Sequence, residues 1–202
     1  MTKIIALKKS ITLISIFAVL MIAFSGCVDN NSADNGTTPE NPEANMEAKA
    51  ISDANTSEVS TLETLPAGFE YVITLPLTTD EINSNYKTEN VSGILEGSEG
   101  VYKGSNETDY YIDVIKLEDK EAANNFITTY KATFPPLNNV SRFTDESFNG
   151  HSAVKITDYV TSGGKSAARY TYIWSNENYV IVVFGNSEEE AYVRKLAEAT
   201  GY

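Results

Sequence analysis

One cysteine, one histidine and one tryptophan occur in a chain of 202 residues. A lone cysteine cannot close a disulfide within its own chain. With a single histidine beside it, it cannot complete a zinc or copper ligand set either. Basic residues are scarce: 15 lysines and arginines stand against 28 aspartates and glutamates, a formal net charge of −13. A surface of that sign repels phosphate backbones, and no basic stripe interrupts it, so a nucleic-acid partner is excluded. There is no G-x-S-x-G elbow and no D-x-[DN]-x-[DN]-G calcium loop. Gly163 and Gly164 form a turn with no helix start behind them, which rules out a phosphate loop. No repeat of solenoid period is visible.

One run, residues 11–24, is long and apolar: "ITLISIFAVLMIAF", 14 residues without a charge. At a rise of ~1.5 Å per residue it spans about 21 Å as a helix, short of the ~30 Å hydrocarbon core. Lys3, Lys8 and Lys9 precede it; Ser25, Gly26 and Cys27 follow. A positive region, a short apolar core and small residues make the layout of a secretory signal peptide over 1–26.

The stretch "FSGC" at 24–27 resembles the lipobox of bacterial and archaeal lipoproteins. Ser25, Gly26 and Cys27 match that pattern, and Phe24 departs from its usual aliphatic residue. The resemblance implies cleavage before Cys27 and attachment of a two-chain lipid to its sulfur, a stable anchor where one chain holds only reversibly. The expected location is the outer face of the cytoplasmic membrane. An uncleaved transmembrane anchor or plain secretion are the alternatives.

Residues 27–64 read as a tether. After Cys27 they carry eight acidic residues and one basic one, Lys49, and no aromatic ring. Such a composition buries too little apolar area to offset its ordering entropy. Outside the membrane, N-x-[ST] triplets become possible glycosylation sites, and Asn30, Asn35, Asn55, Asn90, Asn106 and Asn139 each begin one.

Residues 65–202 have the length of one domain. "DYYIDVIKL" at 109–117 reads as a strand. Ala122, Ala123, Phe126, Ile127, Tyr130 and Phe134 then recur at helical spacing, with Asp119 as N-cap and Pro135–Pro136 as the stop. Hairpins follow: Asn149–Gly150, then "SGGK" at 162–165, then "NEN" at 176–178. "YVIVVF" at 179–184 is apolar at every position, which predicts a strand covered on both faces. S-x-x-E at Ser187–Glu190 predicts a capping box opening a helix whose buried stripe is Val193, Leu196, Ala197 and Thr200. "GFEYVITLPL" and "GILEGSEGVYKG" read as weaker strands, and "TTDEINSNY" as a short helix. The expected fold class is α+β, an antiparallel sheet of five or six strands against two main helices. The pattern from "GFEY" to "KLAEATGY" is similar to the domains of uncharacterised archaeal surface lipoproteins, for which no catalytic motif is implied. A distant fold-level analogue is the α/β/α sandwich of extrinsic photosystem proteins, which carries no function with it.

Chemistry is sparse. His151 follows the Asn149–Gly150 turn and reads as the first residue of a surface strand. The acidic groups Asp80/Glu81, Glu96/Glu99, Glu107/Asp109 and Glu188–Glu190 have no metal-site spacing. All 12 tyrosines and the tryptophan lie in 65–202. Alternation puts Tyr170, Tyr172 and Trp174 on one strand face, which either stacks on a ligand ring or forms part of the core. The expectation is a non-enzymatic module of the cell envelope, without metal or cofactor. It is held to the membrane by lipid and meets another envelope protein or a glycan. The alternatives are a small-molecule or glycan binder using the Tyr170/Tyr172/Trp174 face, and an envelope hydrolase.

Overall fold

Two-residue turns set the sheet. Asn149 and Gly150 both take positive φ, 51° and 75°, the type I′ geometry whose twist matches the flanking strands. They join β4 (Phe143–Phe148) to β5 (His151–Ser162); Gly163–Gly164 joins β5 to β6 (Lys165–Asn176), and Glu177–Asn178 joins β6 to β7 (Tyr179–Gly185). Upstream lie β1 (Phe69–Pro76), β2 (Ile94–Gly104) and β3 (Asp109–Leu117). The helices are α1 (Thr56–Ser60), α2 (Thr79–Tyr86), α3 (Lys120–Ala132) and α4 (Glu190–Ala199). This computed structural model describes residues 49–51, 53–138 and 140–202. The signal layout, Cys27, the tether as far as residue 48, Asn30, Asn35 and Asn139 lie outside the described residues.

The sheet has seven antiparallel strands in the order β1-β2-β3-β7-β6-β5-β4. The expected class, α+β, holds; the expected five or six strands and two main helices become seven and four. The weaker strands both form, for tertiary reasons. β2 is rich in Gly, Ser and Glu, poor strand formers, and is held by pairing on both sides, to β1 and to β3. β1 is an edge strand with most of its side chains exposed. β7 occupies the centre, as its continuous apolar run predicts. Tyr179, Ile181 and Val183 point into one core and Val180 and Val182 into the other.

The helices divide between the two faces. Val193, Leu196 and Ala197 of α4 and Val59 of α1 share a core with Tyr102, Tyr110, Ile112, Tyr172 and Trp174. Ala123 and Phe126 of α3, with Ile82 and Tyr86 of α2, share the opposite core with Ile115, Leu117, Ile156 and Ile173. α3 starts as expected, with the Asp119 carboxylate accepting from the Ala122 N–H at 2.8 Å. The capping box expected at Ser187 does not form. The helix begins at Glu190, and the Ser187 hydroxyl accepts from the Glu189 N–H instead. Glu190 is drawn away, accepting from Lys155 and from the Tyr172 hydroxyl, each at 2.9 Å.

The largest correction concerns the end of the stretch read as tether. Residues 49–51 and 53–62 pack on the α4 face. Ile51 is 4 % exposed and Val59 2 %. The Tyr179 hydroxyl donates to the Ala54 carbonyl at 2.6 Å, and the Asn176 amide donates to the Lys49 carbonyl at 2.8 Å. Tyr102 donates to the Ser60 carbonyl and accepts from the Leu62 N–H. The acidic composition misled because only a few residues of this stretch need to be apolar; its polar groups are met by the sheet. Gly100 makes the docking possible: a Cβ there would stand 2.1 Å from the Ser60 carbonyl oxygen. Gly100→Ala is therefore expected to destabilise the fold by about 1–3 kcal/mol. It should also open residues 49–62 to protease, read from the urea midpoint and from limited proteolysis.

Candidate functional site

Asp113 stands in the middle of β3 and is 1 % exposed. Its neighbours on the same strand face are Tyr111 and Ile115, so alternation carries it to the α2/α3 side of the sheet. It lines a cleft of about 500 Å³ together with Asn85 and Tyr86 of α2, Glu99 of β2, Tyr130 of α3, Thr171 of β6, and Phe184 and Asn186 at the end of β7. That volume is in the range of small-molecule sites.

The floor is a pair of carboxyl groups. Glu99 and Asp113 are direct partners in the β2–β3 ladder. Two like charges placed opposite each other repel, which favours the neutral form of one of them. The Tyr86 hydroxyl donates to Asp113 Oδ2 at 2.6 Å. Asp113 Oδ1 has no hydrogen-bond partner among the described residues. Burial is the main cause that pushes Asp113 up to about 8; the charge of Glu99 adds to it, and the Tyr86 hydroxyl opposes it. Burial also raises Glu99, with the charge of Glu81 adding to it. Asp113 is the more buried of the two and the one that burial holds protonated near neutral pH.

The walls are aromatic. Tyr111 and Phe184 are partners across the β3–β7 ladder, with ring centroids 5.0 Å apart and planes at 19°. Tyr86 and Tyr130 meet edge to face at 5.0 Å. Burial pushes the Tyr130 hydroxyl up to about 12, and Asp158 and Asp113 add to it. The cleft thus combines two ring pairs with one partly desolvated negative charge.

The residues singled out from sequence lie elsewhere. Tyr170, Tyr172 and Trp174 do share one face, but it is the α4 face. Tyr172 is 0 % exposed and Trp174 1 %, while Tyr170 packs partly buried against the same core. No ligand ring reaches them, so the ligand-face expectation is corrected to core. Helix α4 and residues 49–62 supply the cover that strand alternation cannot reveal. His151 opens β5, with Nε2 near the Lys49 carbonyl and the Asn176 amide. Among the sequons, Asn90 is exposed. Asn55 caps α1, accepting from the Glu58 N–H at 2.9 Å. The Asn106 amide donates to the Tyr110 hydroxyl at 2.8 Å. Of the acidic groups, Glu81 closes the α2 capping box, Glu96 accepts from Thr56, Asp109 pairs with Lys103, and only Glu99 enters the cleft. Asp113 was missed, although a charged residue inside "DYYIDVIKL" was its signal.

Among the described residues no three His, Cys, Asp or Glu side chains converge to hold a metal ion, and no helix is long and apolar enough to cross a membrane. No protein family, curated protein or solved structure compared with the chain matches it.

Two outcomes follow from this geometry. Trp174→Ala is expected to cost about 3–5 kcal/mol of stability, as for a buried aromatic, with urea unfolding as the measurement. Asp113 has a folded-state value above its ordinary 3.8, so the folded chain holds a proton that the unfolded chain releases. Stability should then fall as pH rises from about 4 to 8, by up to about 1.4 kcal/mol per unit, and level off above that. Asp113→Asn should flatten that slope and leave the variant more stable than the parent at pH 8, as read from urea midpoints across the range.

Proposed function

We propose that this protein is a lipid-anchored extracytoplasmic binding module, not an enzyme, and that its small-molecule ligand occupies the Tyr86–Asp113 cleft. The observation that carries the binding role is Asp113 itself. A carboxyl with an unpartnered oxygen in a half-closed aromatic cleft is expensive for the fold, and an apolar residue would serve the sheet better. Its presence is accounted for by something that enters the cleft and meets it. The non-enzymatic reading is supported by the placement of the two carboxyls. Glu99 and Asp113 are direct ladder partners on one sheet face, whereas glycoside hydrolysis needs its two carboxyls on opposite sides of the bond cleaved. The anchor rests on "FSGC" after the short apolar run, with Cys27 as its attachment point. Export to the outer face of the cytoplasmic membrane would follow from the same signal.

Membrane-extracted protein should have the mass of residues 27–202 plus a two-chain lipid. Cys27→Ser should move the chain out of the lipidated membrane pool. A native mass spectrum of the same sample tests the binding role: a discrete adduct should be present and be lost in Tyr130→Ala. An unmodified Cys27 would sink the anchor, and an adduct that survives that change would place the ligand outside the cleft.

A further inference from the structure

The cleft floor holds two carboxyl groups opposed across the β2–β3 ladder, Glu99 half-buried and Asp113 buried. No lysine or arginine lines the cleft among the described residues. The nearby Lys103 is engaged with Asp109 at 3.1 Å. Elsewhere the fold does provide counter-charges. On the α4 face Glu146 lies between Lys155 at 3.3 Å and Arg194 at 3.0 Å, and Glu190 meets Lys155 at 2.9 Å. The Glu99/Asp113 pair, by contrast, is within a desolvated cleft and has no cation partner among the described residues.

The four rings bear on the same point. Tyr86, Tyr111, Tyr130 and Phe184 line the same cleft as Glu99 and Asp113. Aromatic faces attract cations, and several rings around one carboxylate make the usual receptor for an ammonium group. We propose that the cleft takes an organic monocation, its amine or quaternary ammonium group set between the Glu99/Asp113 pair and these rings. The inference rests on the binding-module reading and names the ligand class.

Other chemistries fit the site less well. A calcium ion needs six to eight oxygen ligands, and two carboxyls on a wall of rings do not supply them. A neutral sugar can stack on the rings but leaves the buried charge without a partner, whereas a monocation cancels it. An anion would be repelled outright. A primary amine can donate to the half-buried Glu99 carboxylate directly; a quaternary group relies on the rings and on charge alone. Both belong to the class, and their relative affinities tell the two apart.

The test uses the full chain in a non-ionic polyoxyethylene detergent, titrated calorimetrically with four probes. These are choline, its neutral isostere 3,3-dimethylbutan-1-ol, n-butylammonium and glucose. Choline or n-butylammonium should bind, with the isostere and glucose at least about tenfold weaker. Glu99→Gln and Phe184→Ala should each weaken the cation by about five- to tenfold, with circular dichroism unchanged. Tyr130→Leu provides a second ring deletion should Phe184→Ala fail to fold. If the isostere or glucose binds as tightly as choline, the cation inference is overturned and the binding role stands. If neither cation binds at about 10 mM, weaker than the usual millimolar limit, the inference is also overturned. The native spectrum then decides the rest. A persistent adduct keeps the cleft as a site for another chemistry, and its absence removes the binding role as well.

Discussion

The ladder between β3 and β7 is the joint on which this molecule depends. β1-β2-β3 is one meander and β4-β5-β6-β7 another. The second begins at the far edge after α3 and returns to the centre, where β7 pairs with β3 from Tyr110↔Gly185 to Lys116↔Tyr179. No other pair of strands links the two meanders. Both faces of that joint are largely buried, which suits the unbroken apolar run "YVIVVF" in β7, and Asp113 is the buried exception in β3. The approach is close as well: the Tyr110 ring lies where a Cβ on Gly185 would be, 2.3 Å from its Cδ1. A side chain at 185 would push the two meanders apart.

The cleft sits across the same joint. Tyr111 and Asp113 come from β3, Phe184 and Asn186 from the end of β7, and Tyr86 and Tyr130 close it from the helices above. Because the ladder is rigid and central, the carboxyl pair and the Tyr111–Phe184 stack are held by backbone pairing, not by loops. That is the condition for a pre-formed site, whose ligand does not have to order the chain on binding. The contrast with the α4 face is informative. There, each partly buried carboxylate finds a lysine, an arginine or a tyrosine hydroxyl, so the fold itself balances its charges. At Asp113 no cation does so among the described residues, and burial favours the protonated carboxyl.

Local signals were legible wherever the cause is local. The Asn149–Gly150 turn, the Asp119 cap, the stripe of α3 and the central position of "YVIVVF" all follow from residues within a few positions of each other. What escaped reading depends on the far side of a pairing. Alternation put Tyr170, Tyr172 and Trp174 on one face correctly, yet it cannot say which helix covers that face. The stretch 49–64 looks unfoldable by composition because its partners, Asn176, Tyr179 and Tyr102, lie 40 to 127 positions away. Glu190 looked like a cap because S-x-x-E is a local pattern; a lysine on β5 and a tyrosine on β6 claim it instead. The cleft residues come from six elements with no spacing motif, and only the charge in the middle of β3 marked the place.

The point at which the chain joins the domain follows from the same packing. Lys49, the first described residue of the docked segment, is held by Asn176 at the end of β6, and Ala54 by Tyr179 at the start of β7. Both lie on the α4 side. The cleft lies on the α3 side, at the Phe184 end of β7. Five residues of strand separate Tyr179 from Phe184, about 17 Å. A segment that merely trailed from residue 65 would be free to swing across either face. Because Ile51 and Val59 are buried and Gly100 admits the Ser60 carbonyl, the chain instead leaves the domain from a fixed point behind the sheet. The docked segment and the mouth of the cleft therefore lie on opposite faces of the sheet.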